Sequence, residues 1–350
     1  MPPALLPISL SSLLPAALPR AAVGFVVVLS GEDFGENATW GQAICVTGSD
    51  AKAFILLAND SLRNPIPGTA SNDPAHLLRP YNMPAKRSRP TCVLTIAGSD
   101  SGGGAGIQAD LRTFAAFGLH GVSAITAVTA QNTRTVSRIA PLAPAMVRAQ
   151  IDALFDDFAI GAVKIGMLAT AAIVRAVAAA LARRRVPVVL DPVLVATTGA
   201  RLARGDLAGP IRRHLLARAD LVTPNVPEAE TLLGKRIRTP ADLPGAASDL
   251  IALGSRAVLL KGGHLEGSRV SDLLLTSAGL QREFTHARIR TEGHGTGCTL
   301  SSAIAARLAL GDALDVAVGT GIDYVHCALA RGYRPGRGRV RVLDHGATSR

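Results

Sequence analysis

The sequence predicts an α/β fold: an open, mostly parallel sheet covered by helices on both faces. Three observations predict it. From Thr91 onward, short apolar runs alternate with segments of helical spacing, the pattern of repeated strand–helix units. Polar motifs fall where the apolar runs end, the place at which open α/β sheets bind ligands. Near the C-terminus a glycine-rich turn, residues 293–297, runs directly into an Ala/Leu-rich helix.

Taken in order, residues 92–97 read as a buried strand and 107–117 as a helix. Residues 122–129 are β-branched and strand-like. Helical spacing with Pro near its start marks 144–155. A strand at 162–165 precedes an Ala-rich helix at 171–184. The strand at 186–190 ends at Asp191-Pro192. Residues 207–217 are helical, and the strand at 221–223 ends at Pro224-Asn225. Helices follow at 227–233 and 241–253. The strand at 257–260 ends at Lys261-Gly262-Gly263-His264. Residues 272–276 and 283–289 read as an antiparallel pair. Helices at 298–310 and 313–330 precede an Arg/Gly tail. No internal repeat is visible.

Composition narrows the function. The net charge is +11, from 37 basic and 26 acidic residues, and a strongly basic chain invites a nucleic-acid reading. The arginines are scattered, however, over 183–185, 212–213 and 334–341. Aromatic residues make up only 3%, which supplies little stacking surface for single strands. No nucleic-acid partner is expected. No apolar run reaches the roughly 18 residues that span a bilayer, so no membrane partner is expected either. The four cysteines, Cys45, Cys92, Cys298 and Cys327, lack zinc or C-x-x-C spacing and read as reduced thiols of a cytoplasmic protein.

Residues 1–82 differ from the rest. They are Pro-rich and slightly acidic, with a short apolar run at 21–29 and a Pro/Asn/Ser-rich stretch at 59–82. A signal peptide would want a basic start and a clean cleavage site, both missing here. The expectation is a poorly ordered extension, or a start assigned too early, with Met83 opening an ordinary single domain over 83–350.

Five groups of residues bear chemistry. The turn at 293–297 opens a helix whose first N–H groups lack intrahelical partners, so it forms an anion site with Cys298 beside it. Gly98 opens Gly98-Ser-Asp-Ser-Gly-Gly-Gly-Ala-Gly106, a loop whose backbone can approach a small polar ligand. It lacks the acidic residue of a dinucleotide fingerprint and the Gly-Lys-Ser/Thr of a P-loop. Asp110 stands in the next helix's first turn, where a carboxylate is also a plain helix-start preference. Gln131, in Thr129-Ala-Gln131-Asn132-Thr133, offers donor and acceptor on one group, which suits a ring nitrogen beside an amino group. Lys164-Ile-Gly-Met167 ends a strand with a soft apolar residue, a ligand wall or an ordinary core methionine. Asp191, Asn225, Glu228 and Lys261 also sit at strand ends. The two carboxylates suit Mg²⁺ held through water, and the lysine suits phosphate charge. Together with the 293–298 turn they make a phosphoryl-transfer site.

In order and spacing, these motifs over residues 91–330 resemble the hydroxymethylpyrimidine/phosphomethylpyrimidine kinases of thiamine biosynthesis, which have a ribokinase-like fold. The resemblance implies a three-layer sandwich. It also implies ATP-dependent phosphorylation of 4-amino-5-hydroxymethyl-2-methylpyrimidine to the monophosphate and then the diphosphate. By motif position Gly98, Asp110 and Gln131 would contact the pyrimidine, with Met167 and Val193 as apolar walls. Gly295, Thr296, Gly297 and Cys298 would form the anion hole. Cys298 would accept the hydroxyl proton, its pKa lowered by the helix start. Asn225 and Glu228 match an N-x-x-E motif linked to Mg²⁺ and phosphate, with Glu228 toward the metal. Asp191 and Lys261 would lie near the ATP phosphates. A homodimer is the expected assembly. Two other readings remain: a pyridoxal or pyridoxine kinase of the same fold, and a module that binds the pyrimidine or nucleotide without turnover.

Overall fold

The computed structural model describes residues 90–194 and 205–346, with three short strands nearer the N-terminus. The chain divides into two units, Met1–Ser88 and Arg89–Arg350. In the first unit β1 (Val27–Val28), β2 (Gly41–Thr47) and β3 (Ala53–Asn59) pair antiparallel in that order. The β2–β3 pair is not among the strands expected from the sequence. Most of the 21–29 run, the 59–82 stretch beyond Asn59 and the Met83 start lie outside the described residues.

The second unit alternates strands and helices. In order they are β4 (Cys92–Ser99), α1 (Gly106–Ala116), β5 (His120–Gln131), β6 (Val136–Pro141), α2 (Pro144–Asp157), β7 (Ile160–Ile165) and α3 (Ala171–Leu181). Then come β8 (Val188–Leu190), α4 (Ala208–His214), β9 (Leu221–Val222), α5 (Val226–Leu233), α6 (Leu243–Ala252) and β10 (Ala257–Lys261). The unit closes with β11 (Arg269–Thr276), β12 (Gln281–Ala287), β13 (Gly293–His294), α7 (Thr296–Ala309), α8 (Leu314–Ala330) and β14 (Arg341–Val342). Nine strands form one sheet in the order β12-β11-β10-β9-β8-β7-β4-β5-β6. The run from β10 to β5 is parallel throughout. Antiparallel partners finish both edges, β11 and β12 at one and β6 at the other.

Successive strand residues point to opposite faces, and here both faces are buried. Leu94, Val163, Leu190 and Leu260 belong to one core with α2 to α6. Val93, Ala162, Val189 and Leu259 belong to another with α1, α7 and α8. Each helix turns an apolar stripe inward. In α3 Ile173, Val174, Val177 and Leu181 are buried, at helical spacing, and the Thr170 hydroxyl accepts from Ile173 N–H at the start. The result is a three-layer sandwich.

The connections position the site. Strand β4 has β5 on one side and β7 on the other. Helix α1 covers one face and α2 the other. Such a reversal opens a crevice at the carboxyl ends of the strands. Gly98, Gln131, Gly166-Met167, Asp191, Asn225 and Lys261 all occupy those ends.

Several boundaries differ from expectation. Strand β6 goes unassigned in the sequence because Val136-Ser-Arg-Ile-Ala-Pro141 is a short edge strand with no buried residue and so no clear alternation. Helix α4 stops at His214, and a 3-10 turn, Leu216–Arg218, replaces its expected last turn. Helix α7 starts at Thr296, two residues before the expected Cys298, because Gly295 caps it in the left-handed region at φ +83°. The Arg/Gly tail contributes β14, which pairs in parallel with β13.

Candidate active site

One cavity of about 640 Å³ opens at the carboxyl ends of the strands. Its wall includes Gly98, Gln131, Met167, Asp191, Val193, Asn225, Glu228, Lys261 and the turn from Gly295 to Cys298. A cavity of this size suits a small ring and a nucleotide phosphate chain.

The glycine turn opens α7 with backbone N–H groups that have no intrahelical partner. Thr299 N–H is bonded to Gly295 O at 2.9 Å, so the N–H groups of Thr296, Gly297 and Cys298 stand ahead of the helical ladder. A Cβ on Gly295 would lie 2.1 Å from Gly104 O. The turn therefore interlocks with the glycine loop after β4, and two distant glycine motifs form one backbone surface. A Cβ on Gly297 would lie 3.2 Å from Lys261 Nζ and 3.4 Å from an Asp191 oxygen. The helix start thus stands beside the charged strand ends.

Lys261 Nζ donates to Asp191 Oδ1 at 3.1 Å, and Thr223 Oγ1 donates to the same oxygen at 3.3 Å. Burial opposes charge on Lys261, but the carboxylates of Asp191 and Glu228 outweigh it and hold the ammonium above its ordinary pKa. Asn225 and Glu228 form a reciprocal cap on α5. Glu228 N–H donates to Asn225 Oδ1, and Asn225 N–H donates to Glu228 Oε2, both at 2.9 Å. This is a capping box, and it fixes the Glu228 carboxylate at the cavity wall. Burial, reinforced by the Asp191 charge, pushes Glu228 up to about 7.

That conflict tests the fit to Mg²⁺. No cluster of three or more His, Cys, Asp or Glu side chains among the described residues could hold a metal alone. Two carboxylates that repel each other beside a helix start fit an ion that keeps waters and shares substrate phosphates.

Two expectations need correction. Asp110 was expected against the pyrimidine. It is fully buried and off the cavity wall. Lys164 Nζ donates to both its oxygens at 2.9 Å, Thr95 Oγ1 at 2.6 Å and Ser302 Oγ at 2.8 Å. A carboxylate so satisfied ties α1, β4, β7 and α7 together beneath the site. Cys298 was expected to be acidified by the helix start. Burial dominates instead, with the charges of Asp110 and Asp191 adding to it, and the thiol is pushed up to about 11 despite nearby Lys164.

Asp100 and His294 join the site without any role legible in the sequence. Asp100 accepts from Gly102 N–H at 2.8 Å, Ala105 N–H at 2.9 Å and Gly104 N–H at 3.0 Å, so it shapes the glycine loop. His294 Nε2 lies 3.0 Å from Asp100 Oδ2 and 3.2 Å from the Gln131 amide nitrogen. Both residues stand inside quoted motifs, yet their pairing spans 194 positions and only the fold reveals it. Leu300, Ile322, Val325 and Leu329 add an apolar part to the wall.

A parallel sheet with a glycine-turned helix start, a lysine and paired carboxylates at its strand ends defines a ribokinase-like small-molecule kinase. The chain belongs to the phosphomethylpyrimidine kinase family, which matches residues 100–343. It is 44% identical over 258 residues to the hydroxymethylpyrimidine/phosphomethylpyrimidine kinase of Streptomyces coelicolor, covering 73% of this chain and 95% of that one. It is 43% identical over 325 residues to the thiamine biosynthesis bifunctional protein ThiED of Geobacter sulfurreducens; the match covers 92% of this chain and 64% of that longer protein. Among solved structures, the pyridoxal kinase of Staphylococcus aureus in complex with pyridoxal superposes with a TM-score of 0.67 at 30% identity, over 74% of this chain and 95% of that one. No helix of the described residues is long and apolar enough to cross a membrane.

Proposed function

We propose that this chain transfers the γ-phosphoryl group of ATP to the hydroxymethyl group of 4-amino-5-hydroxymethyl-2-methylpyrimidine. A second transfer to the monophosphate then yields the diphosphate. One observation carries the reading: the N–H groups opening α7 share one cavity with the Asp191–Lys261 pair and with Gly98, Gln131, Met167 and Val193. Phosphoryl and alcohol are thereby brought to one point, and positioning supplies most of phosphoryl transfer.

The roles follow from placement. The pyrimidine lies between Met167 and Val193 with its polar edge on Gln131. The backbone of Gly295 to Cys298 meets the charge on the transferred group. Lys261, kept cationic, faces the phosphates. Glu228, held by Asn225, and Asp191 would hold Mg²⁺ through water, and the ion would supply charge neutralisation between phosphates. Cys298 lies where the alcohol arrives, and the fraction of it present as thiolate receives the alcohol proton as the new bond forms. Asp110 supports this wall from beneath.

The unpaired thiols of Cys92, Cys298 and Cys327 suit a reducing cytoplasm, and the family pattern suggests a homodimer without nucleic-acid affinity. The likeness to a pyridoxal kinase makes a hydroxymethylpyridine the second substrate to try. The test is ADP release measured with the aminopyrimidine alcohol, its monophosphate and pyridoxine in parallel. ADP release that requires the alcohol and prefers the pyrimidine is expected. ATP use independent of any alcohol, or a preference for pyridoxine, defeats the reading.

A further inference from the structure

His294 is buried at 5% exposure in the cavity wall, and its Nε2 meets two groups at once. Asp100 Oδ2 lies 3.0 Å away and the Gln131 amide nitrogen 3.2 Å away. Burial opposes charge on Asp100, but hydrogen bonds from His294 and from the backbone of Gly102 and Ala105 hold its pKa below the ordinary value. An ionised carboxylate only accepts. Nε2 must therefore carry a hydrogen, whether the ring is neutral or charged. An amide NH₂ turned toward that N–H would place two donors face to face.

The other end of the amide has the matching conflict. Thr129 Oγ1 is 2.9 Å from Ser99 O and 3.4 Å from Gln131 Oε1. The single hydroxyl hydrogen goes to the nearer carbonyl, so Oγ1 offers Gln131 only lone pairs. A half-turn of the carboxamide resolves both ends, because oxygen and nitrogen exchange places in nearly the same outline. The oxygen then shares the single Nε2 hydrogen with Asp100 in a three-centre bond, and the NH₂ donates to Thr129.

We propose that His294, held by Asp100, is a specificity-determining residue that locks the Gln131 carboxamide with its oxygen toward His294 and its NH₂ toward Thr129. The inference rests on the reading that Gln131 meets the substrate ring. The locked amide presents one free acceptor lone pair on the His294 side and one free N–H on the Thr129 side. It therefore pairs with a ring edge carrying an amino donor next to a ring-nitrogen acceptor in that order. An aminopyrimidine has this edge. A hydroxypyridine alcohol has no exocyclic amine to fill the acceptor, and a site built to bond a missing donor rejects the analogue. His294 acts through Gln131 and is a positioning residue, not a catalytic one.

The test combines a spectrum with a selectivity ratio. Histidine-labelled full-length protein, with His294→Gln used to assign the signal, is examined by long-range nitrogen–proton correlation. A hydrogen on Nε2 is expected, and a bare Nε2 overturns the proposal. Then kcat/KM is measured for the aminopyrimidine alcohol and for pyridoxine. His294→Leu should reduce the pyrimidine-to-pyridine ratio by about tenfold or more, the worth of one lost buried hydrogen bond. The loss should fall mainly in KM, and His294→Gln, which keeps an N–H donor, should restore much of the ratio. A merely structural role lowers both substrates together and leaves the ratio fixed, which overturns the proposal. Gln131→Ala separates the two readings. An unchanged pyrimidine KM there defeats the assignment of Gln131 itself. A raised KM there with a fixed ratio in His294→Leu defeats only the present inference.

Discussion

The ammonium of Lys164 and the carboxylate of Asp110 form an ion pair 2.9 Å apart with both side chains fully buried. The pair lies beneath Cys298 and is completed by Thr95 and Ser302. Burial opposes charge on Lys164, but Asp110 against it raises the lysine pKa above its ordinary value. Removing one partner strands the other charge without water. Lys164→Met should therefore lower stability by about 3–5 kcal/mol, the cost typical of breaking a buried pair. Adding Asp110→Asn should return a large part of that loss. The urea unfolding midpoints of the three proteins check this, and a wild-type midpoint in Lys164→Met would sink it.

Gly295 carries a second expectation. Its φ of +83° lies where a side chain is strained, and its Cβ would stand 2.1 Å from Gly104 O. That contact is backbone, so no rotamer change relieves it. Gly295→Ala should push the α7 start away from the glycine loop. Turnover should fall by at least about 10²-fold, the scale of a lost oxyanion donor, while the fold loses roughly 1–3 kcal/mol. Steady-state kinetics with thermal unfolding checks both. Full turnover in a stable variant would show that the interlock does not set the anion site.

Much of this was legible in the chain because glycine, proline and strand-end polar residues punctuate it. Asp191, Asn225 and Lys261 each follow an apolar run, and a parallel sheet places all such ends on one rim. What escaped depends on long separations. Asp110 looks like a ligand contact in its motif, yet Lys164, 54 positions away, claims its carboxylate. Cys298 looks acidic because a helix start favours a thiolate, but burial, visible only when the layers close, outweighs the dipole. Strand β14 is hidden in an Arg-rich tail because two residues of pairing leave no periodicity. His294 gives no signal beyond standing in the motif, since its two partners belong to the β4 loop and to β5.

Glu228 predicts how stability follows pH. Burial and then Asp191 raise its folded pKa to about 7, above the unfolded value of about 4.3. Between those values the unfolded chain releases a proton that the folded protein keeps. Stability from this group is therefore present below the lower value and lost as pH rises toward the upper one. The loss reaches about 4 kcal/mol at most, on the order of the pKa difference. In metal-free buffer the wild-type melting temperature should fall relative to Glu228→Gln as pH goes from about 5 to about 8. Parallel curves across that range would show that Glu228 keeps its ordinary ionisation.

Cys298 makes the sharpest kinetic expectation, because its thiol is pushed up to about 11. If its sulfur takes the proton from the alcohol, only the thiolate fraction is competent. That fraction grows tenfold per unit of pH up to the thiol pKa. With ATP and the aminopyrimidine saturating, log kcat should rise with a slope near one between about pH 7 and about pH 9. Cys298→Ala should lose at least about 10²-fold at the upper end and show a flat profile. Cys298→Ser, whose hydroxyl is far weaker as an acid, should be flat as well. The comparison separates proton transfer from shape: a variant that merely repacks the wall keeps the slope and lowers the whole curve. A wild-type profile that is flat from the start would remove Cys298 as the acceptor. It would leave the proton to depart late, through the phosphoryl oxygens held by Gly295 to Cys298, as a loose transition state allows.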